Sequence, residues 1–247
     1  MSLWLALVLV AAVAVLAGAV AAVAGFGIGS LLTPLFAWQM GTKLAVAAVS
    51  IPHFAGTALR FVMLRQHVDR RLLLSFGLMS AAGGLAGALL QSYLGSPALT
   101  LVFGILLVFA GVMGLTGWAE RMRFGGWMAW VAGALSGLLG GLVGNQGGIR
   151  SAALLGYDVP KQAFVATATA VALFVDGARV PVYLVTQGQQ IAEAWPYLVA
   201  ATGGVLVGTV AGGRVLRRLP EKVFKRVVAG IVLVLGMVML VVAIRGT

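Results

Sequence analysis

The chain has 247 residues, 61% of them hydrophobic and only 9% charged, where an ordinary soluble domain carries about 25% charged residues. So little polar surface excludes a soluble globular fold, a DNA-binding module and a disordered tail together. The formal charge of +11 fits basic residues gathered in cytoplasmic loops of a membrane protein, so no nucleic-acid partner is expected.

At about 20 residues per helical span, the length allows roughly eight to ten crossings in one compact all-α bundle. The apolar runs are long and continuous, which excludes the short alternating strands of a transmembrane barrel. The first run, 3–24, is of span length, and the first charged residue after it is Lys43. It lacks the basic n-region of a secretory signal and is expected to be a retained first helix. Further apolar segments follow at about 43–64, 72–92, 97–117, 127–144, 161–186, 194–213 and 222–244. Two shorter apolar pieces, 28–38 and 147–157, each follow a glycine cluster and read as half-helices, re-entrant or broken. Pro52 is expected to kink its helix and free a carbonyl beside His53.

The pieces repeat. Gly25 and Gly29 match Gly144 and Gly148, and Arg60 matches Arg179, all at a spacing of 119 residues, while Lys43 with Lys161 and Gly83-Gly84 with Gly203-Gly204 agree within one. This is an internal duplication, with halves 1–124 and 125–247. Basic residues lie after the second segment in the first half (Arg65, Arg70, Arg71) but after the third in the second half (Arg214, Arg217, Arg218, Lys222, Lys225, Arg226). An odd number of segments per half puts both clusters, with Arg121 and Arg123, on one cytoplasmic face. The halves are then inverted repeats, with both termini outside.

Glycine, 35 residues or about twice the usual share, is a close-packing device between membrane helices. Cysteine is absent, and two histidines with six carboxylates leave too few ligands for a protein-built metal site. Neither metal nor cofactor is expected.

A charged side chain facing lipid at mid-membrane costs about 2.5–3.5 kcal/mol on insertion scales, so buried charges usually mark a pathway. The candidates are His53, Arg60, Arg150, Asp176 and Arg179, with Asn145 and Gln146 beside them. In Gly144-Asn-Gln-Gly147-Gly148-Ile-Arg150 two adjacent glycines permit an unwound backbone. The half-helix that starts there presents free N–H groups and a positive dipole end, which suits an anion. Arg150 adds a planar fork for a sulfite, sulfonate or carboxylate. The competing reading has Arg150 snorkelling or pairing with Asp176.

The equivalent break, Gly25-Phe-Gly27-Ile-Gly29-Ser30, offers backbone donors and the Ser30 hydroxyl; without a preceding strand it is not a nucleotide loop. His53 and Arg60 are seven apart and share a helix face. Asp176, Arg179 and Tyr183 form a second stripe, in which Arg179 is either a substrate ligand, with Asp176 as its orienter or a proton acceptor, or half of a buried ion pair. Ser136 is not in a nucleophile elbow, the acidic residues are scattered, and no enzymatic constellation is present.

The duplicated pattern of glycine-rich break, half-helix, Lys43 or Lys161 helix start and arginine-bearing helix resembles the sulfite exporter TauE/SafE family, also called the toluene sulfonate uptake permeases. The resemblance covers nearly the whole chain and rests on Gly25 to Pro34, Gly144 to Ser151 and Asp176-Gly177-Ala178-Arg179. It implies a secondary transporter in the cytoplasmic membrane that moves sulfite or an organosulfonate; an anion channel or a non-transporting scaffold is the alternative. The expected partners are a small anion, membrane lipid and a further copy of the chain.

Overall fold

The computed structural model describes residues 3–118, 127–145, 147, 150, 154, 160–215 and 221–245. Among these there is no strand, and seven helices are long and apolar enough to cross a membrane. In chain order the helices are α1 (Leu3–Ala24), α2 (Ile28–Leu64), α3 (Arg70–Tyr93), α4 (Ser96–Thr116), α5 (Trp127–Val143), α6 (Lys161–Glu193), α7 (Trp195–Val215) and α8 (Glu221–Arg245). The shorter apolar helix lies within α5.

Two expectations change in detail. The expected separation of the piece 28–38 from 43–64 is present, because within Ile28–Leu64 two helices meet at the non-helical Gly41, at φ 76° and ψ 155°. Glycine alone adopts that conformation without strain, so the break falls there and not at Pro52, where helical dihedrals continue. The run 161–186 ends where expected, at the non-helical Gln187, but 188–193, between two apolar segments, continues as helix to Glu193. Most of 147–157 lies outside the described residues.

Helix direction follows from the contacts. Lys43 donates through Nζ to the Ser92 carbonyl (2.6 Å) and through its backbone N–H to Ser96 Oγ (3.2 Å). Gln91 donates to the Lys43 carbonyl (3.0 Å) and accepts from Gln187 Nε2 (3.0 Å). These residues mark one end of the bundle. At the other end the Asp69 N–H donates to Thr167 Oγ1 (2.9 Å). Helices α2 and α6 are therefore antiparallel.

Glycine stripes bring the remaining helices together. Gly83 and Gly87 of α3 abut the α5 carbonyls of Ala134 and Leu138, and Gly137 and Gly141 of α5 abut the α3 carbonyls of Ser80 and Gly84, in parallel. Gly204, Gly208 and Gly212 of α7 face Ala11, Val15 and Ala19 of α1, also in parallel. Gly104 and Gly111 of α4 meet Leu240 and Leu233 of α8, antiparallel. Small residues are needed because association between apolar helices in lipid relies on backbone approach and dispersion, not on burial from water.

With these directions Arg65, Arg70, Arg71 and the start of α8 share one end of the bundle. Leu3, Gly41, Gly95 and Arg245 lie at the other. Exposed Trp4, Trp38, Tyr93 and Trp195 ring that second end and exposed Trp118 and Trp127 the first, the placement of interfacial aromatic belts. The flanks between them expose Leu85, Leu89, Ile105, Val207, Val234 and similar side chains, the surface a lipid-facing bundle presents. The fold is that of a multi-pass membrane protein.

Candidate functional site

The two glycine-rich turns meet inside the bundle. Gly25 (φ 79°), Gly27 (φ 130°) and Gly144 (φ 74°) all take the left-handed region, which ends α1 and α5 sharply and lets the chain turn back. Gly29 lies against the Gly144 carbonyl, with no room for a Cβ between them, and Gly147 packs on Phe26. Arg150 Nη2 donates to the Gly25 carbonyl (3.0 Å), tying the second break to the first. Gly27 and Ser30 are buried at the start of α2, whose first turn has no side-chain cap. Gln146 and Gly148 lie outside the described residues.

A polar chain runs away from this junction. His53 Nδ1 is 2.7 Å from Asp176 Oδ2, and Thr57 Oγ1 is 3.4 Å from His53 Nδ1 and 3.3 Å from Arg60 Nη2, the donor in the second contact. Asp176 Oδ1 accepts from Arg179 Nε (2.9 Å) and lies 2.8 Å from Nη2. His53 and Arg60 therefore share a face, as their seven-residue spacing requires, and Thr57 is the unforeseen link between them. The Asp176–Arg179–Tyr183 stripe is also present. Tyr183 is fully buried and donates to the Gly141 carbonyl. Asp176 pairs with His53 and Arg179, whereas Arg150 bonds the Gly25 carbonyl.

Two sets of contacts recur at one spacing. Gly25 N–H donates to the Ala21 carbonyl and Gly144 N–H to the Gly140 carbonyl, both at 3.0 Å. Arg60 Nη1 donates to that same Ala21 carbonyl, and Arg179 Nη1 to that same Gly140 carbonyl (2.7 Å). Every residue of one set lies 119 positions before its counterpart. Each arginine closes the carboxyl end of the hairpin helix before it, where unsatisfied carbonyls and the negative dipole end favour a cation.

All these groups are buried: Arg60, Arg150 and Arg179 are each 2% exposed and Asp176 is fully enclosed. Among the described residues the polar chain holds three guanidiniums against one carboxylate. Arg60 Nε, Arg150 Nε and Nη1, Asn145 Nδ2 and Thr33 Oγ1 have no hydrogen-bond partner among those residues. A buried donor without a partner costs about 1–3 kcal/mol, and more if charged. Such a cluster is chemically suited to receiving an anion rich in acceptor oxygens.

The family model described as Sulfite exporter TauE/SafE matches residues 10–239, nearly the whole chain. No curated protein and no solved structure matches it.

Proposed function

From membership of the sulfite exporter TauE/SafE family, to which this chain belongs, we propose that it is a secondary transporter of sulfite or an organosulfonate in the cytoplasmic membrane. The observation that carries this reading is the surplus of buried guanidiniums with open N–H donors at the meeting point of two broken helices. Two unbalanced cations in a low-dielectric interior need a counter-charge, and a sulfur oxyanion supplies both charge and acceptors. Broken helices near the centre of a bundle are where transporters of this general kind hold their cargo.

In this reading Arg150, Asn145 and Gly147 contact the anion from the second half. Arg60, with Gly27 and Ser30, contacts it from the first. Asp176 is the ion-pair partner that joins His53 to Arg179. The halves 1–124 and 125–247 act as inverted repeats, in keeping with the helix directions and with the latches repeated at a spacing of 119. Positive-inside placement puts the end carrying Arg65, Arg70 and Arg71 in the cytoplasm.

Counterflow in proteoliposomes tests the proposal. Vesicles preloaded with unlabelled sulfite should take up labelled sulfite faster than empty ones. Dissipation of an anion gradient without such stimulation indicates a channel, and neither response indicates a scaffold.

A further inference from the structure

Arg60 and Arg179 stand 119 positions apart at matching places in the repeated pattern, yet the residue three positions before each differs. Three residues before Arg179 stands Asp176, whose carboxylate takes both Nε and Nη2. Three residues before Arg60, at the equivalent position, stands Thr57, which offers one hydroxyl oxygen at 3.3 Å. The second arginine is consequently saturated: Nε and Nη2 lie on Asp176 and Nη1 on the Gly140 carbonyl. The first keeps Nε unpartnered among the described residues and has no carboxylate of its own, and Arg150 keeps two open nitrogens. With His53 counted as neutral, the described residues of the cluster carry two positive charges more than their one carboxylate balances.

We propose that Thr57 is a selectivity position: by withholding the carboxylate that its counterpart Asp176 supplies, it leaves Arg60 and Arg150 as the pair that takes the charge of a compact oxyanion. Arg179 is then a structural arginine, locked by Asp176 and the Gly140 carbonyl, and does not touch the cargo. A carboxylate at position 57 would sit beside Arg60 and act as a permanent internal anion, competing with the external one. Two surplus charges fit a single dianion better than a monoanion, so among ions of similar size the doubly charged one is favoured. The inference rests on the transport reading above and assigns its charge contacts.

The test uses the purified full-length chain in detergent, with thermal unfolding followed against sodium sulfite, sodium sulfate and sodium methanesulfonate, each referenced to sodium chloride at equal ionic strength. The wild type should be stabilised by at least one oxyanion, most by a dianion. Thr57→Asn, which has the shape of Asp without its charge, should keep an apparent Kd within about threefold of wild type. Thr57→Asp should weaken binding at least tenfold, and Arg60→Gln should do the same by removing the cation.

Equal binding by Thr57→Asp and Thr57→Asn overturns the inference. So does a wild-type response from Arg60→Gln, and that arm decides the matter if Thr57→Asp does not fold. A wild type that binds while these variants fail to discriminate refutes only the role of Thr57. A wild type that neither responds to any oxyanion nor exchanges sulfite in vesicles refutes the transport reading itself.

Discussion

Arg150 crosses from one half of the molecule to the other to reach the Gly25 carbonyl, and only one of its nitrogens is used in doing so. Arg150→Ala should abolish both sulfite exchange and oxyanion-induced stabilisation while the protein still inserts, because the cargo would keep only one of its two guanidiniums, Arg60. Arg150→Lys should rescue poorly, a point charge lacking the planar fork. Wild-type exchange by the alanine variant would make Arg150 a purely structural tie. Asp176 is the opposite case, since it already serves two partners, one on each half. Removing the charge from a buried pair strands the other member, at roughly 3–5 kcal/mol. Asp176→Asn should therefore lower folded yield and the unfolding temperature well before it alters proton dependence. A stable variant that still exchanges substrate and has lost only proton-driven accumulation would reassign Asp176 as the proton carrier.

At the level of helices, the glycine stripes divide into those that face a neighbouring backbone and those that face lipid, and adjacent positions show the difference. A Cβ on Gly204 would press on the Ala11 carbonyl and the Ala14 side chain, both 2.7 Å away, whereas a Cβ on Gly203 meets nothing within 4 Å. Gly204→Ala should forfeit about 1–3 kcal/mol through forced separation of α1 and α7, seen as a lower unfolding temperature in detergent, and Gly203→Ala should leave it unchanged. Similar losses from both would mean that the cost does not come from the contact with α1, since alanine favours helix over glycine at either position. The Gly83-Gly84 and Gly203-Gly204 pairs were visible in the sequence, but it was not visible there that Gly83 and Gly84 both face a helix while of the second pair only Gly204 does. Periodicity identifies a face; the partner on that face is a long-range choice.

For the whole molecule, the directions of the helices place the Arg70 end of α3 and the end of α7 together, and the loop after Glu193 at the opposite end. Since the native chain has no cysteine, single cysteines can report this directly. Arg70→Cys and Arg217→Cys should be shielded from a membrane-impermeant thiol reagent in intact cells and labelled after permeabilisation, while Glu193→Cys should be labelled in intact cells. Labelling of the two arginine positions from opposite faces would reject the inverted arrangement.

Membrane residence, helix number and most helix limits follow from composition and from apolar run length, because in lipid each backbone polar group must be satisfied within its own helix and the choice is local. The breaks at Gly25 and Gly144 were legible for the same local reason: glycine alone takes a positive φ cheaply. The break at Gly41 was legible as the gap between 28–38 and 43–64, whereas the kink expected at Pro52 is absent because helical dihedrals continue through it. The charged residues of the interior could be named from their apolar flanks, but their pairing could not. Asp176 joins His53 across 123 residues and Arg150 reaches Gly25 across 125. The local stretches place Asp176 beside Arg179 and Thr57 beside Arg60, but they do not carry the difference in which nitrogens stay open once the rest of the bundle has closed on them. That difference belongs to the tertiary structure, because a guanidinium's free valence is set by which carboxylates and carbonyls the packing of other helices brings within hydrogen-bond distance.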